Sequence, residues 1–278
     1  MSVTPTSMQP PVPPRTSAQA PCVDDRIARD LALTLKWFPV TDSSRVVVWF
    51  TRHHGRLSTL IKGAQRPKSW TLGQYDHFYT CELLFYRRSS DDLHVFKECA
   101  PLKRRGGLRQ NWRGCAAASH IADLLYRVSP PLAASPPLFD LTSQVLDCLA
   151  EGENTPALLF WYELQLLREL GLAPDLSAGK PGEAHFAYEE GRVVPNLAPT
   201  SPPGSAQRSD KGGRISGGVL ALMRRLLEIR SPLELQRLRL MPVQVQEIAA
   251  HLDRFSAWHL DLPLPSRNLA LDLMTRVN

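Results

Sequence analysis

Cysteine is scarce in this 278-residue chain. There are five, Cys22, Cys81, Cys99, Cys115 and Cys148, and no two of them form a C-x-x-C pair. An odd, dispersed set offers neither a disulfide framework nor a local zinc knuckle, and reads as buried free thiols in a reducing cytosol. Also missing is an apolar run long enough to span a bilayer. The N-terminus has no basic segment followed by an apolar one, so export is not expected either. Catalytic signatures are lacking too: there is no P-loop, no G-x-G-x-x-G, no nucleophile elbow and no H-E-x-x-H. The acidic residues of the N-terminal third are dispersed, not clustered as a metal-dependent nuclease needs. No catalytic residue and no cofactor is expected, and binding is the function class left.

What is present is an uneven charge. The net charge of +6 is modest for this length, but its distribution is not uniform. Residues 24–105 carry fifteen Lys and Arg against nine Asp and Glu, whereas residues 106–176 carry four against eight. A basic first unit joined to an acidic middle points to a polyanion meeting the first unit. The composition also sets boundaries. Residues 1–23 are rich in Pro, Ser and Thr with few large apolar side chains, as in a disordered tail. Residues 195–218 repeat that composition with Gly added, as in a flexible insert.

Between these boundaries the hydrophobic period changes. "LALTLKWF", "RVVVWFT", "RLSTLIKGA", "HFYTCELLFYRR" and "LHVFKECA" are short, rich in Val, Thr and aromatics, and separated by turn clusters. Five such strands in a short span suggest a compact barrel of the OB type, with an SH3-like barrel as the alternative. After Asn111 the spacing becomes helical, as in "CAAASHIADLLYRV". In "NTPALLFWYELQLLRELG", Thr155 fits an N-cap, Pro156 the first helical position and Gly171 the terminator. Further apolar stripes run through Val219–Leu227 and Ile248–Phe255. The expected fold is α+β: an OB-fold barrel at 24–105, then an α-helical domain at 106–278.

The stretch "TRHHGRLSTLIKGAQRPKS", residues 51–69, holds two candidate chemistries. His53 and His54 would point to opposite faces if they continued a strand, and no acidic pair accompanies them, so a metal centre is disfavoured against a solvated turn. The cations form a better pattern. A period of two puts Arg56, Ser58, Leu60 and Lys62 on one strand face, with Leu57, Thr59 and Ile61 facing the barrel interior. Arg66 and Lys68 follow in a loop that ends on Trp70, while Arg52, Lys36 and Trp37 extend the surface. A cationic groove with interleaved aromatics is how OB folds hold single strands.

These residues resemble the bacterial DNA repair protein RecO family. "FTRHHGRLSTLIKGAQRPKS" is similar to the family's "FT..HGR" turn, apolar strand, "KGAR" and basic loop. "ELLFYRRSSDDLHVFKECAPL", "HIADLLYRV" and "ALLFWYELQLLRELGLAPDL" resemble its later segments in order, over roughly residues 30–176. The resemblance implies a recombination mediator without catalytic turnover, located in the cytoplasm with the nucleoid. It implies binding to single- and double-stranded DNA and annealing of complementary strands. The implied partners are RecR, the C-terminal tail of the single-stranded DNA-binding protein (SSB) and, indirectly, RecA. By motif position, Arg56, Lys62, Arg66 and Lys68 fall on the family's DNA-binding strand and loop.

Two departures matter. Many relatives place two C-x-x-C pairs after the "P-x-L" segment, whereas residues 173–199 here hold no cysteine, so no zinc finger is expected. "KGAQ" replaces "KGAR" and removes one charge. The alternative function is a generic OB-fold binder of single-stranded DNA or RNA. A hydrolase using His53 or His54 would need metal content and turnover.

Overall fold

The structure is a computed structural model that describes residues 23–88, 93–178, 184–195 and 212–275. The expected tail at 1–23 lies outside the described residues except for Val23, and residues 196–211 of the expected insert lie outside them too.

Five strands close a barrel: β1 (Val23–Pro39), β2 (Arg45–Thr51), β3 (Gly55–Ile61), β4 (Thr80–Arg88) and β5 (Leu93–Lys103). Their order is β1-β2-β3-β5-β4, with β1 pairing β4 to complete the circle. Only the β3–β5 pair is parallel. Closure rests on the length of β1, whose 17 residues reach both β2 and β4. A register shift between Thr34 and Lys36 bends it on the way, as a bulge does. The alternation read in β3 is realised, with Leu57, Thr59 and Ile61 buried and Arg56, Ser58 and Leu60 half-buried. Val47, Trp49, Leu57, Ile61, Leu83 and Phe85 fill the interior. The one polar tip among them, Trp49 Nε1, donates to Thr59 Oγ1 at 2.9 Å, so its burial leaves no donor unsatisfied.

The helical part comprises α1 (Gly107–Gln110), α2 (Trp112–Val128), α3 (Pro136–Ala150), α4 (Pro156–Glu169), α5 (Gly217–Glu228), α6 (Pro242–Leu260) and α7 (Pro265–Thr275). Helix α4 is its axis, because every residue from Ala157 to Leu167 is buried. It starts where the sequence predicts. The Thr155 hydroxyl accepts from the Leu158 N–H at 3.3 Å, and Gly171 beyond its end takes the left-handed φ of +73°.

The helical region expected at 106–278 also holds a small sheet that the sequence reading did not include. Three four-residue strands, β6 (Ala184–Ala187), β7 (Arg192–Pro195) and β8 (Gly212–Ile215), form a small sheet of order β7-β6-β8. Its Phe186 stacks on Tyr188 and on His251 of α6. The expected insert at 195–218 thus contains ordered backbone on its C-terminal side, since β8 and the first residues of α5 fall within it.

The barrel does not stand apart from the helices. Leu33, Leu35, Phe50 and Phe78 belong to the same buried cluster as α2, α3 and α4, and Phe50 stacks on Phe139 of α3 at 6.3 Å. A β-carbon at Gly55 would run into the Ala133 carbonyl in the α2–α3 connection, so only glycine admits this close approach, which its φ of +69° also requires.

Candidate nucleic-acid interface

Between β3 and β4, residues 62–79 form a loop of consecutive turns, not a floppy excursion. Arg66 N–H donates to the Gly63 carbonyl at 3.1 Å, Ser69 to Arg66 at 2.9 Å, Leu72 to Ser69 at 3.2 Å and Gln74 to Thr71 at 3.1 Å. Ala64, Thr71 and Tyr75 are buried and anchor it to the barrel. Its far end is tied to the helical part, where Arg109 of α1 reaches Asp76 at 2.5 Å and the Tyr79 hydroxyl at 2.8 Å. The buried Arg105 guanidinium donates to the Phe78 carbonyl at 2.6 Å, the Thr80 hydroxyl at 2.9 Å and Asp147 at 2.8 Å. Arg105 and Arg109 were not singled out in the sequence, because nothing local marks their partners 25 to 42 residues away.

On this braced loop Lys62, Arg66 and Lys68 are exposed and pair with no carboxylate among the described residues. Trp70 closes the row, 61% exposed, its ring tilted against Phe96 at 5.8 Å. Gln65 has a role of its own. Its backbone N–H donates to the Ser43 carbonyl at 3.1 Å and its side-chain amide to the Thr41 carbonyl at 3.0 Å. It therefore straps the loop to the β1–β2 turn.

The other sequence candidates go elsewhere. Arg52 reaches across to Asp140 of α3 at 2.7 Å. Arg56 Nε donates to the Ser129 carbonyl at 2.8 Å while its guanidinium lies over the Tyr126 ring of α2. Lys36 sits over the same ring at 3.2 Å from its centroid. Trp37 stacks on His77 and receives the Arg45 guanidinium at 4.0 Å. Only the Lys62–Lys68 end of the predicted surface is open, while the Arg52–Arg56 end faces the helices.

His53 and His54 do occupy a turn between strands, but it is held by a partner the sequence did not reveal. The Asp30 carboxylate, almost fully buried, lies 2.9 Å from His53 Nδ1 and 2.7 Å from His54 Nδ1, and accepts the His53 N–H at 2.8 Å. Burial alone would push its pKa up. The His54 and His53 hydrogen bonds outweigh that and hold the carboxyl below its ordinary value. His53 is exposed, yet no group of three or more His, Cys, Asp or Glu side chains placed so that they could hold a metal ion occurs among the described residues. No helix among them is long and apolar enough to cross a membrane.

Comparison with known proteins agrees with this architecture. The chain matches the family model for the N-terminal part of recombination protein O over residues 26–105, and that for its C-terminal part over residues 109–268. The DNA repair protein RecO of Prosthecochloris aestuarii is 24% identical over 261 residues, 87% of this chain and 95% of that protein. That of Heliobacterium modesticaldum is 28% identical over 240 residues, 82% of this chain and 83% of the relative. That of Syntrophus aciditrophicus is 28% identical over 142 residues, where the chain spans about half of the relative's length, 55%. With one family model covering the barrel and the other more than half of the chain, this protein belongs to the RecO family of DNA repair and recombination proteins.

Proposed function

We propose that the protein is a recombination mediator that grips the DNA backbone with the β3–β4 loop, through Lys62, Arg66 and Lys68, and performs no catalytic turnover. Arg52 and Arg56 support that loop's strand from the domain junction. Single- and double-stranded DNA both present phosphates to such a loop, so both are ligands, and annealing of complementary strands follows from holding either. The cytoplasm, with the nucleoid, is the compartment this reading requires. Family membership supports RecR and the SSB tail as partners, with RecA loaded indirectly on SSB-coated DNA. One observation carries the reading: three exposed cations share a loop that is already ordered, and no carboxylate among the described residues neutralises them. A loop backbone held this way loses little further conformational freedom when its cations meet a phosphate.

The test is a salt titration of oligonucleotide binding. Each phosphate contact on a single strand contributes a log–log slope of roughly −0.7, through release of condensed counterion. Replacing Lys62, Arg66 and Lys68 together by alanine should weaken binding at low salt and flatten the slope by about 2 units. An unchanged slope in a folded triple variant would remove this loop from the interface.

A further inference from the structure

The β3–β4 loop is held to the barrel by two thiols as well as by its own turns. Cys81 of β4 and Cys99 of β5 are both buried in the cluster that fills the barrel. The register pairs Leu83 with Cys99 and Cys81 with Pro101, so the two cysteines are diagonal neighbours across the strands. Both thiols donate to one acceptor, the Gln74 carbonyl, at 3.5 Å from Cys81 Sγ and 3.4 Å from Cys99 Sγ. No backbone N–H among the described residues reaches that carbonyl. The thiols also share a hydrogen bond with each other. Gln74 ends the run of turns that carries Lys62, Arg66 and Lys68, with its N–H on the Thr71 carbonyl at 3.1 Å. Beside it Tyr75, from the same buried cluster as the thiols, packs edge-on against Trp49 at 6.1 Å. Residues 74 and 75 therefore attach the loop at the thiol pair.

Two thiols at hydrogen-bonding range are one oxidation away from a disulfide. With hydrogen peroxide, two thiols and one peroxide give one disulfide and two waters. The sulfurs pass two electrons to the O–O bond as it breaks, and both thiol protons leave in the water. A disulfide has no S–H, so the Gln74 carbonyl would lose both donors at once. The loop would keep its turns and lose this anchor. In the reduced chain, the hydrogen bond with Cys81 and burial push the Cys99 thiol up from its ordinary range. A buried, protonated thiol reacts slowly, so oxidation has to wait until residues 74 and 75 lift from the barrel.

We infer that Cys81 and Cys99 form a redox latch beneath the phosphate-binding loop: peroxide joins them when the loop lifts, frees the Gln74 carbonyl and weakens the loop's grip on DNA. The latch rests on the proposed function and adds regulation to it. The coupling runs in both directions, because DNA that holds the loop down keeps the thiols covered.

The experiment exposes the full chain to hydrogen peroxide, with and without a saturating single-stranded oligonucleotide, and maps the 81–99 bond by peptide mass. Tryptic cleavage at Lys62 and Lys68 and oligonucleotide affinity are read on the same samples. Wild type is expected to form the bond and to be cut faster at both lysines. It should also bind roughly 2- to 10-fold more weakly, the scale of a lost hydrogen bond. Dithiothreitol should reverse all three changes, and bound oligonucleotide should slow formation of the bond. Cys81→Ala should keep its own cleavage rate and affinity through the treatment. Absence of the bond after peroxide, or its formation with cleavage or affinity unchanged, overturns the latch and leaves the loop reading intact. Reduced wild type that binds no oligonucleotide overturns the loop reading instead, while mass and cleavage still decide whether the thiols hold the loop. Should Cys81→Ala fail to fold, reversal in the wild type decides: weaker binding that persists once the bond is reduced rules the latch out.

Discussion

Asp30 shows how a single buried carboxylate can decide the shape of a turn. It accepts the Leu31 N–H at 2.8 Å as well as the three contacts from His53 and His54, so four donors converge on two oxygens. Asp30→Asn keeps the size but turns one oxygen into a donor facing donors. The expected cost is about 1–3 kcal/mol of stability in chemical denaturation. His53→Ala and His54→Ala should each lose less, and neither should change the DNA salt slope. A slope change in either histidine variant would mean that the turn meets DNA. Because the folded carboxyl titrates below its unfolded value, its contribution is present above the ordinary carboxylate range and lost as pH falls through the lowered value. The inward and outward residues of β3 were legible in the sequence, since a period of two is local. The Asp30 clasp was not, because only the pairing of β1 with β2 brings residues 23 positions apart together.

At the scale of elements, the strands with alternating or β-branched runs and the helix with a Thr-Pro start could be read from the sequence. The elements missed share a reason. Strands β6, β7 and β8 are four residues each, too short to show a period, and the apolar stripe of α7 is short and interrupted, with Arg267 buried beside Ala270, Leu271 and Met274. Arg267 of α7 is fully buried, with Nε 2.9 Å from both oxygens of Glu163 in α4, and it also pairs with Asp253 of α6. His120 of α2 completes the set, 2.9 Å from Glu163 and 2.9 Å from Ser266. Burial pushes the Glu163 carboxyl up, but Arg267 and His120 pull it down to about 2. This group therefore contributes stability above about pH 4.5 that fades as pH falls toward 2. Asp253 acts in the opposite sense, since burial raises its carboxyl. Arg267→Leu should cost about 3–5 kcal/mol, because it leaves Glu163 buried without its guanidinium. Adding Glu163→Leu should recover part of the loss. A single variant as stable as wild type in thermal melts would show that α7 docks by packing alone.

At the scale of the whole molecule, the sequence told basic from acidic regions but not which side of the barrel meets the helices. That choice redistributes the cations. Arg56 and Lys62 lie on one strand face by period, yet Arg56 donates to the Ser129 carbonyl while Lys62 is exposed. The charge pattern alone cannot separate a cation that binds a partner from one that binds its own chain. The same docking means that a chain cut near Leu108 would expose Leu33, Leu35, Phe50 and Phe78, so the barrel should lose solubility when produced alone. Arg56 gives the sharper test. Arg56→Ala removes a charge-assisted hydrogen bond across the junction and should lower stability by about 1.5 kcal/mol in denaturant titration. If its charge serves the junction, the DNA salt slope stays at the wild-type value, in contrast to the change of about 2 units expected for the loop triple variant. A slope flatter by about 0.7 in Arg56→Ala would instead place that guanidinium on a phosphate. The junction would then have to open when DNA binds, and the barrel and helices would move as separate bodies in the complex.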